Sequence, residues 1–131
     1  MEKEKIRILM IKPMERPRVY YIEPTMRTFR YIINAKAVRH RDIQAKKLES
    51  GVYAVFSKGA TDLPSNRQIG KNIISGTMLI VATDDRKLPI SLADNMVSKY
   101  SLRFWNIETF DEINAPKVNA RSVLPRRRQD E

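Results

Sequence analysis

The chain is 131 residues long, the size of one domain, and 42% of it is hydrophobic, enough for a packed core and too much for wholesale disorder. Lys and Arg number 25 against 15 Asp and Glu, a net charge of +10. With no cysteine and one histidine, disulfides, thiolate metal sites, a cysteine nucleophile and a cluster of imidazole ligands are excluded.

The longest apolar run, Met78 to Ala82, is far short of the roughly 20 residues that a spanning helix needs, so no membrane partner is expected. Glu2 and Glu4 are acidic where a secretory peptide needs a basic region and then an apolar stretch, which makes a cytoplasmic location the default expectation.

Lys5 to Ile11 is a short β-branched apolar run bounded by Pro13 and predicts a strand. Arg18 to Glu23 predicts a second, and the two prolines between them predict a hairpin. The Pro24-Thr25 step opens a helix in which Met26, Phe29 and Ile33 share one buried face, with Arg27 and Arg30 on the other. Residues 35–48 fit either a strand or a helix; we read Val38 to Ile43 as an edge strand followed by a connection. Val52 to Ser57 is a strand, and Lys58 to Asn72, rich in Gly, Pro, Asn and Ser, is a loop. Gly76 to Thr83 is apolar on both alternating faces, the signature of a central strand covered on both sides. Ser91 is the expected N-cap of a last helix with Asp94 in its first turn. Leu92, Met96, Val97, Tyr100 and Phe104 form the apolar stripe of that helix. Beyond Trp105 the periodicity fails.

These elements predict an α+β fold: a mostly antiparallel sheet of about five strands with two packed helices and a flexible C-terminal tail. Residues 1–113 form a single domain in this reading, and residues 114–131 a mobile tail. The charge excess belongs to the folded part. Asn106 to Glu131 holds five basic and five acidic residues, whereas the first fifty hold thirteen Lys or Arg against six Asp or Glu. Arg27, Arg30, Lys36, Arg39, Arg41, Lys46 and Lys47 are the densest basic stretch and the candidate partner- or phosphate-binding residues.

Leu63, Pro64, Asn66 and Arg67 are followed by Ile74, Gly76, Thr77, Leu79, Ile80 and Val81, and then by Ser91, Leu92, Lys99, Tyr100 and Phe104. In order and spacing these residues resemble the bacterial and phage family catalogued as domain of unknown function 3846. The opening strand ending in Lys12-Pro13, Val19 to Glu23 and the helix after it also match, so the resemblance spans about residues 5 to 105. Where typical relatives carry Gly-Gly after the first helix this chain has Asn34-Ala35, and where they have an acidic, Asn-containing turn it has Ser57-Lys58-Gly59. Relatives are commonly acidic; this chain is basic. The resemblance implies association with phages and conjugative elements and brings no activity with it.

Catalytic chemistry finds little support. Gly70-Lys71 is followed by Asn72 rather than Ser or Thr, so a phosphate-binding loop fails. His40 has no companion histidine and no nucleophile motif, and reads as a solvated strand residue. Asp84-Asp85 reads as a solvated turn ahead of a magnesium site. Asn66-Arg67 is the most specific polar feature. Its functional reading is a guanidinium presented on a loop to a phosphate or carboxylate; its packing reading, which we prefer, has Asn66 shaping a turn and Arg67 covering the sheet. Tyr20, Tyr21, Tyr31 and Tyr53 are able to stack on bases, yet strand tyrosines usually pack in cores and no stacking signature stands out.

The expected function is therefore non-enzymatic: an accessory protein of a phage or conjugative element that binds a host protein or nucleoprotein partner through a basic surface, with inhibition of a host defence nuclease as one outcome. The alternatives are a non-specific nucleic-acid-binding protein and a small enzyme with an unrecognised site. No cofactor and no metal are expected, and no oligomeric state follows.

Overall fold

The computed structural model describes residues 4–34, 42–58 and 63–108. Strands β1 (Ile6–Ile11) and β2 (Arg18–Ile22) form the expected antiparallel hairpin, with Ile8 opposite Tyr20 and Met10 opposite Arg18. Helix α1 (Met26–Ile33) starts where Thr25 Oγ1 accepts the Thr28 N–H at 3.1 Å. Asn34 closes it, its N–H and its Nδ2 both donating to the Arg30 carbonyl. Phe29 and Ile33 are buried as expected, but Met26 is 52% exposed. Periodicity marks a helix face, and the first turn of this face is left in solvent while Phe29 and Ile33 pack on the sheet.

Residues 35–41 lie outside the described residues, and the connection read after Ile43 is corrected: that stretch is strand β3 (Ile43–Glu49). It pairs antiparallel with β4 (Val52–Ser57), with a bulge between Lys47 and Glu49 and Gly51 at φ +80° in the turn. The predicted loop over Lys58 to Asn72 needs correction. Ser65–Ile69 is strand β5, and it pairs with β6 (Asn72–Ser75) through a Gly70-Lys71 turn. Strand β7 (Met78–Thr83) is followed by the short β8 (Pro89–Ile90) and by helix α2 (Asp94–Arg103). The cap of α2 also differs from expectation. Ala93 is the N-cap, whose methyl side chain has no acceptor for a cap bond, and Ser91 Oγ instead accepts the Arg7 N–H.

The large sheet runs β2-β1-β7-β4-β3, with β8 adding a sixth strand against β7, and every ladder among the described residues is antiparallel. The fold is thus α+β, with two helices and a sheet of six strands among the described residues where about five strands were read from sequence. β7 lies in the middle, buried from Met78 to Ala82, as its two apolar faces predict.

Alternation along the strands divides the core into two layers. Ile6, Ile8, Met10, Val55, Leu79 and Val81 face α1 and pack against Phe29 and Ile33. Leu9, Ile11, Ala54, Phe56, Met78 and Ile80 face the other way, onto Leu92, Tyr100 and Phe104 around α2 and onto Ile69 and Ile74 of the β5–β6 hairpin. No helix among the described residues is long and apolar enough to cross a membrane.

Candidate functional site

The sequence-predicted residues separate into an interior pair and a surface set. Asn66 and Arg67 lie on β5, not on a loop, and both are 0% exposed. Asn66 Nδ2 donates to the carbonyls of Ile11 at 2.7 Å and Gly76 at 2.8 Å, joining β5 to the end of β1 and to the β6–β7 connection. Arg67 donates through Nε to the Phe104 carbonyl at 3.0 Å, through Nη1 to Asn66 Oδ1 at 2.9 Å and through Nη2 to the Glu15 carbonyl at 2.7 Å. One guanidinium therefore ties together β5, the C-terminus of α2 and the β1–β2 turn. Burial pushes Arg67 below its ordinary pKa, and the Glu108 charge opposes that shift. Burial pushes Glu108 up, against the Gln68 N–H that its carboxylate accepts and against the charge of Arg67.

Arg27 and Arg30 are exposed on the outer side of α1. Neither they nor Lys12 and Arg18 have an ion-pair or side-chain hydrogen-bond partner among the described residues. Arg18 lies opposite Met10 in the ladder, so it shares the α1 side of the sheet. Lys46 and Lys47 sit on the other edge strand, β3, and as neighbours along a strand they point to opposite faces. Lys36, Arg39, Arg41 and His40 lie outside the described residues. The described basic candidates consequently do not form one patch: Arg27 and Arg30 lie on α1, which meets the β1–β2 hairpin, whereas Lys46 and Lys47, equally without an ion-pair partner among the described residues, lie on β3.

At that junction lies a cleft of about 340 Å³, walled by Met10 and Tyr20 from the hairpin, by Tyr31 and Ile32 from α1, and by Leu63 and Pro64. Lys12 and Glu15 stand among its lining residues. Gly76 sets the Leu63-Pro64 wall. Its N–H donates to the Pro64 carbonyl at 2.8 Å, its φ is +78°, and a Cβ there would come within 2.6 Å of Leu63 Cδ1. Tyr31 is 73% exposed and Tyr20 36%. Lys12 and Arg18 were not singled out from sequence, and Tyr20 and Tyr31 were named there among four tyrosines able to stack but read as packing residues; the available signal was the i, i+4 placement of Arg27 and Tyr31 on one helix stripe.

Of the Asp84-Asp85 pair, Asp84 has a structural role. Asp84 Oδ1 accepts the N–H groups of Arg86 and Leu88 and so shapes its own turn. Among the described residues no group of three or more His, Cys, Asp or Glu side chains comes together. Comparison with family models, with curated proteins and with solved structures gave no match.

Proposed function

We propose that this chain is a non-enzymatic binding protein that engages nucleic acid through the α1 side of its sheet, by neutralising phosphates. The observation that carries this reading is the set of exposed cations Arg18, Arg27 and Arg30, with Lys12 beside them, none of which has an anionic partner among the described residues. Cations left unpaired on one side of a domain form the footprint that a polyanion needs. The origin in a phage or conjugative element belongs to the proposal too and rests on the resemblance over about residues 5 to 105.

A host-protein target, such as a defence nuclease, is the second reading. Val19 and Tyr21 favour it, being exposed on β2, whose outer edge has no strand beside it among the described residues.

Pull-down from bacterial lysate with and without nuclease, together with anisotropy titrations of labelled oligonucleotides, tests both. Nuclease-sensitive capture is expected, with log affinity falling linearly in log salt and the slope shrinking by roughly one for each of Arg18→Gln, Arg27→Gln and Arg30→Gln. Capture of one defined protein that survives nuclease, with no oligonucleotide binding, would overturn the nucleic-acid reading in favour of the second.

A further inference from the structure

We infer that the cleft between α1 and the β1–β2 hairpin is a base-stacking site for single-stranded nucleic acid, with the rings of Tyr20 and Tyr31 as its platforms. This rests on the nucleic-acid reading above and names the form of the ligand and the residues that would hold its bases.

The fold does not need Tyr31. It sits one turn after Arg27 on the solvent side of α1, a position where Phe29 and Ile33 already supply the burial, and its ring is 73% exposed. Tyr20 projects from the α1 side of β2, opposite Ile8, so one tyrosine comes from the strand side and one from the helix side of the same cleft. At about 340 Å³ the cleft lies within the range of small-ligand sites and accommodates a planar heterocycle against apolar walls.

Around the cleft, cations outnumber the one acidic residue of its lining, Glu15. Lys12 lines the cleft, Arg18 lies two residues from Tyr20 on the same face of β2, and Arg27 shares the helix stripe of Tyr31. Aromatic rings able to take a base face, flanked by cations that track a backbone, are what single-strand binders combine. In a duplex those base faces are covered by their neighbours and are closed to a tyrosine. The walls are also held in advance: Asn66 bonds Ile11 and Gly76, Gly76 bonds Pro64, and Arg67 holds the Glu15 carbonyl, so the cleft needs little ordering on binding.

The experiment is a set of anisotropy titrations on the full chain with labelled oligothymidylate, an abasic strand of equal length, and a duplex. Oligothymidylate is expected to bind roughly tenfold or more tightly than the abasic strand, and Tyr31→Ala to weaken it by roughly 5- to 100-fold. Tyr20→Ala should act in the same direction, and Tyr31→Phe should bind as the parent does, because the ring and not the hydroxyl makes the contact. Tyr31→Ala should leave abasic binding unchanged, whereas Arg27→Gln weakens both strands. Melting curves confirm folding, and Tyr31 is exposed enough that its variants remain folded even if Tyr20→Ala does not. Equal affinity for the abasic strand, preference for duplex, or indifference to Tyr31→Ala would overturn the stacking site while the phosphate-binding function stands. Failure of every strand to bind would overturn both.

Discussion

Arg67 combines full burial with four donor contacts, and its side chain bonds main-chain carbonyls from segments far apart in sequence. A guanidinium is the one side chain whose planar fork reaches several acceptors at once, so lysine is not an equivalent. Arg67→Ala should cost about 3–5 kcal/mol in urea denaturation, since it leaves buried carbonyls without donors and opens a cavity. A variant as stable as the parent would show that the network is not a cross-link. A second residue-scale site is Glu49. Its Oε1 receives Lys99 Nζ at 2.6 Å and the Tyr100 hydroxyl, which hold its carboxyl below the ordinary value, Lys99 foremost. Burial first, and Glu49 second, push Tyr100 from its ordinary 10.0 up to about 12. Between these values the unfolded chain gives up the proton and the folded chain keeps it. The stabilisation is therefore complete below pH 10.0 and is lost as the pH rises through about 12. For Glu49 the sign is opposite: its contribution is present above the ordinary 4.5 and disappears as the pH falls. Tyr100→Phe should cost about 1–2 kcal/mol near neutral pH and flatten the alkaline limb of a stability–pH profile. An unchanged alkaline limb would mean another group is responsible.

At the scale of elements, α1 tests how periodicity becomes burial. Phe29 and Ile33 lie in the core, whereas Met26 and Arg30 do not. Phe29→Ala should cost about 3–5 kcal/mol, Met26→Ala much less, and Arg30→Ala about 0.5 kcal/mol or below, measured by urea denaturation. Similar small losses in all three would show that the helix packs on another face. The β5–β6 hairpin is, with most of β3 and the short β8, an element that sequence reading missed. Ser65, Asn66, Arg67 and Gln68 carry no apolar alternation, and polar residues are depleted in strands taken alone. The segment becomes a strand because acceptors elsewhere in the fold satisfy Asn66 and Arg67, while Ile69 and Ile74 bury against the α2 side of the sheet.

Over the whole molecule, the sheet separates two roles. Its α2 side carries the larger core and the Arg67 cross-link; its α1 side carries Phe29 and Ile33 beneath an exterior of unpaired cations. Those cations have no ion-pair partners to lose among the described residues. The triple variant Arg18→Gln, Arg27→Gln, Arg30→Gln should therefore melt at or above the parent temperature at low salt, because net charge of +10 repels itself. The same protein should bind anionic partners more weakly. A melting temperature lower by many degrees would tie these residues to the fold rather than to a partner.

The sequence alone determined the hairpin, both helices, the doubly buried central strand and the excess of basic charge before residue 51. Each of these depends on local composition or on a period that the chain carries in itself: prolines between two β-branched runs, apolar residues at helical spacing, an unbroken apolar stretch from Met78 to Ala82. The tertiary structure decided the rest. It placed Asn66-Arg67 on a strand inside the molecule, moved Ser91 from a helix cap to the Arg7 N–H, exposed Met26, and brought Tyr20 and Tyr31 to one cleft. These outcomes share a physical reason. Each is settled by a partner that is distant in the chain: a carbonyl 55 residues away for Asn66, a backbone N–H 84 residues away for Ser91, a neighbouring wall for each tyrosine. Local sequence sets what a segment is able to form; only the assembled fold sets which polar groups are satisfied and which rings are left in water.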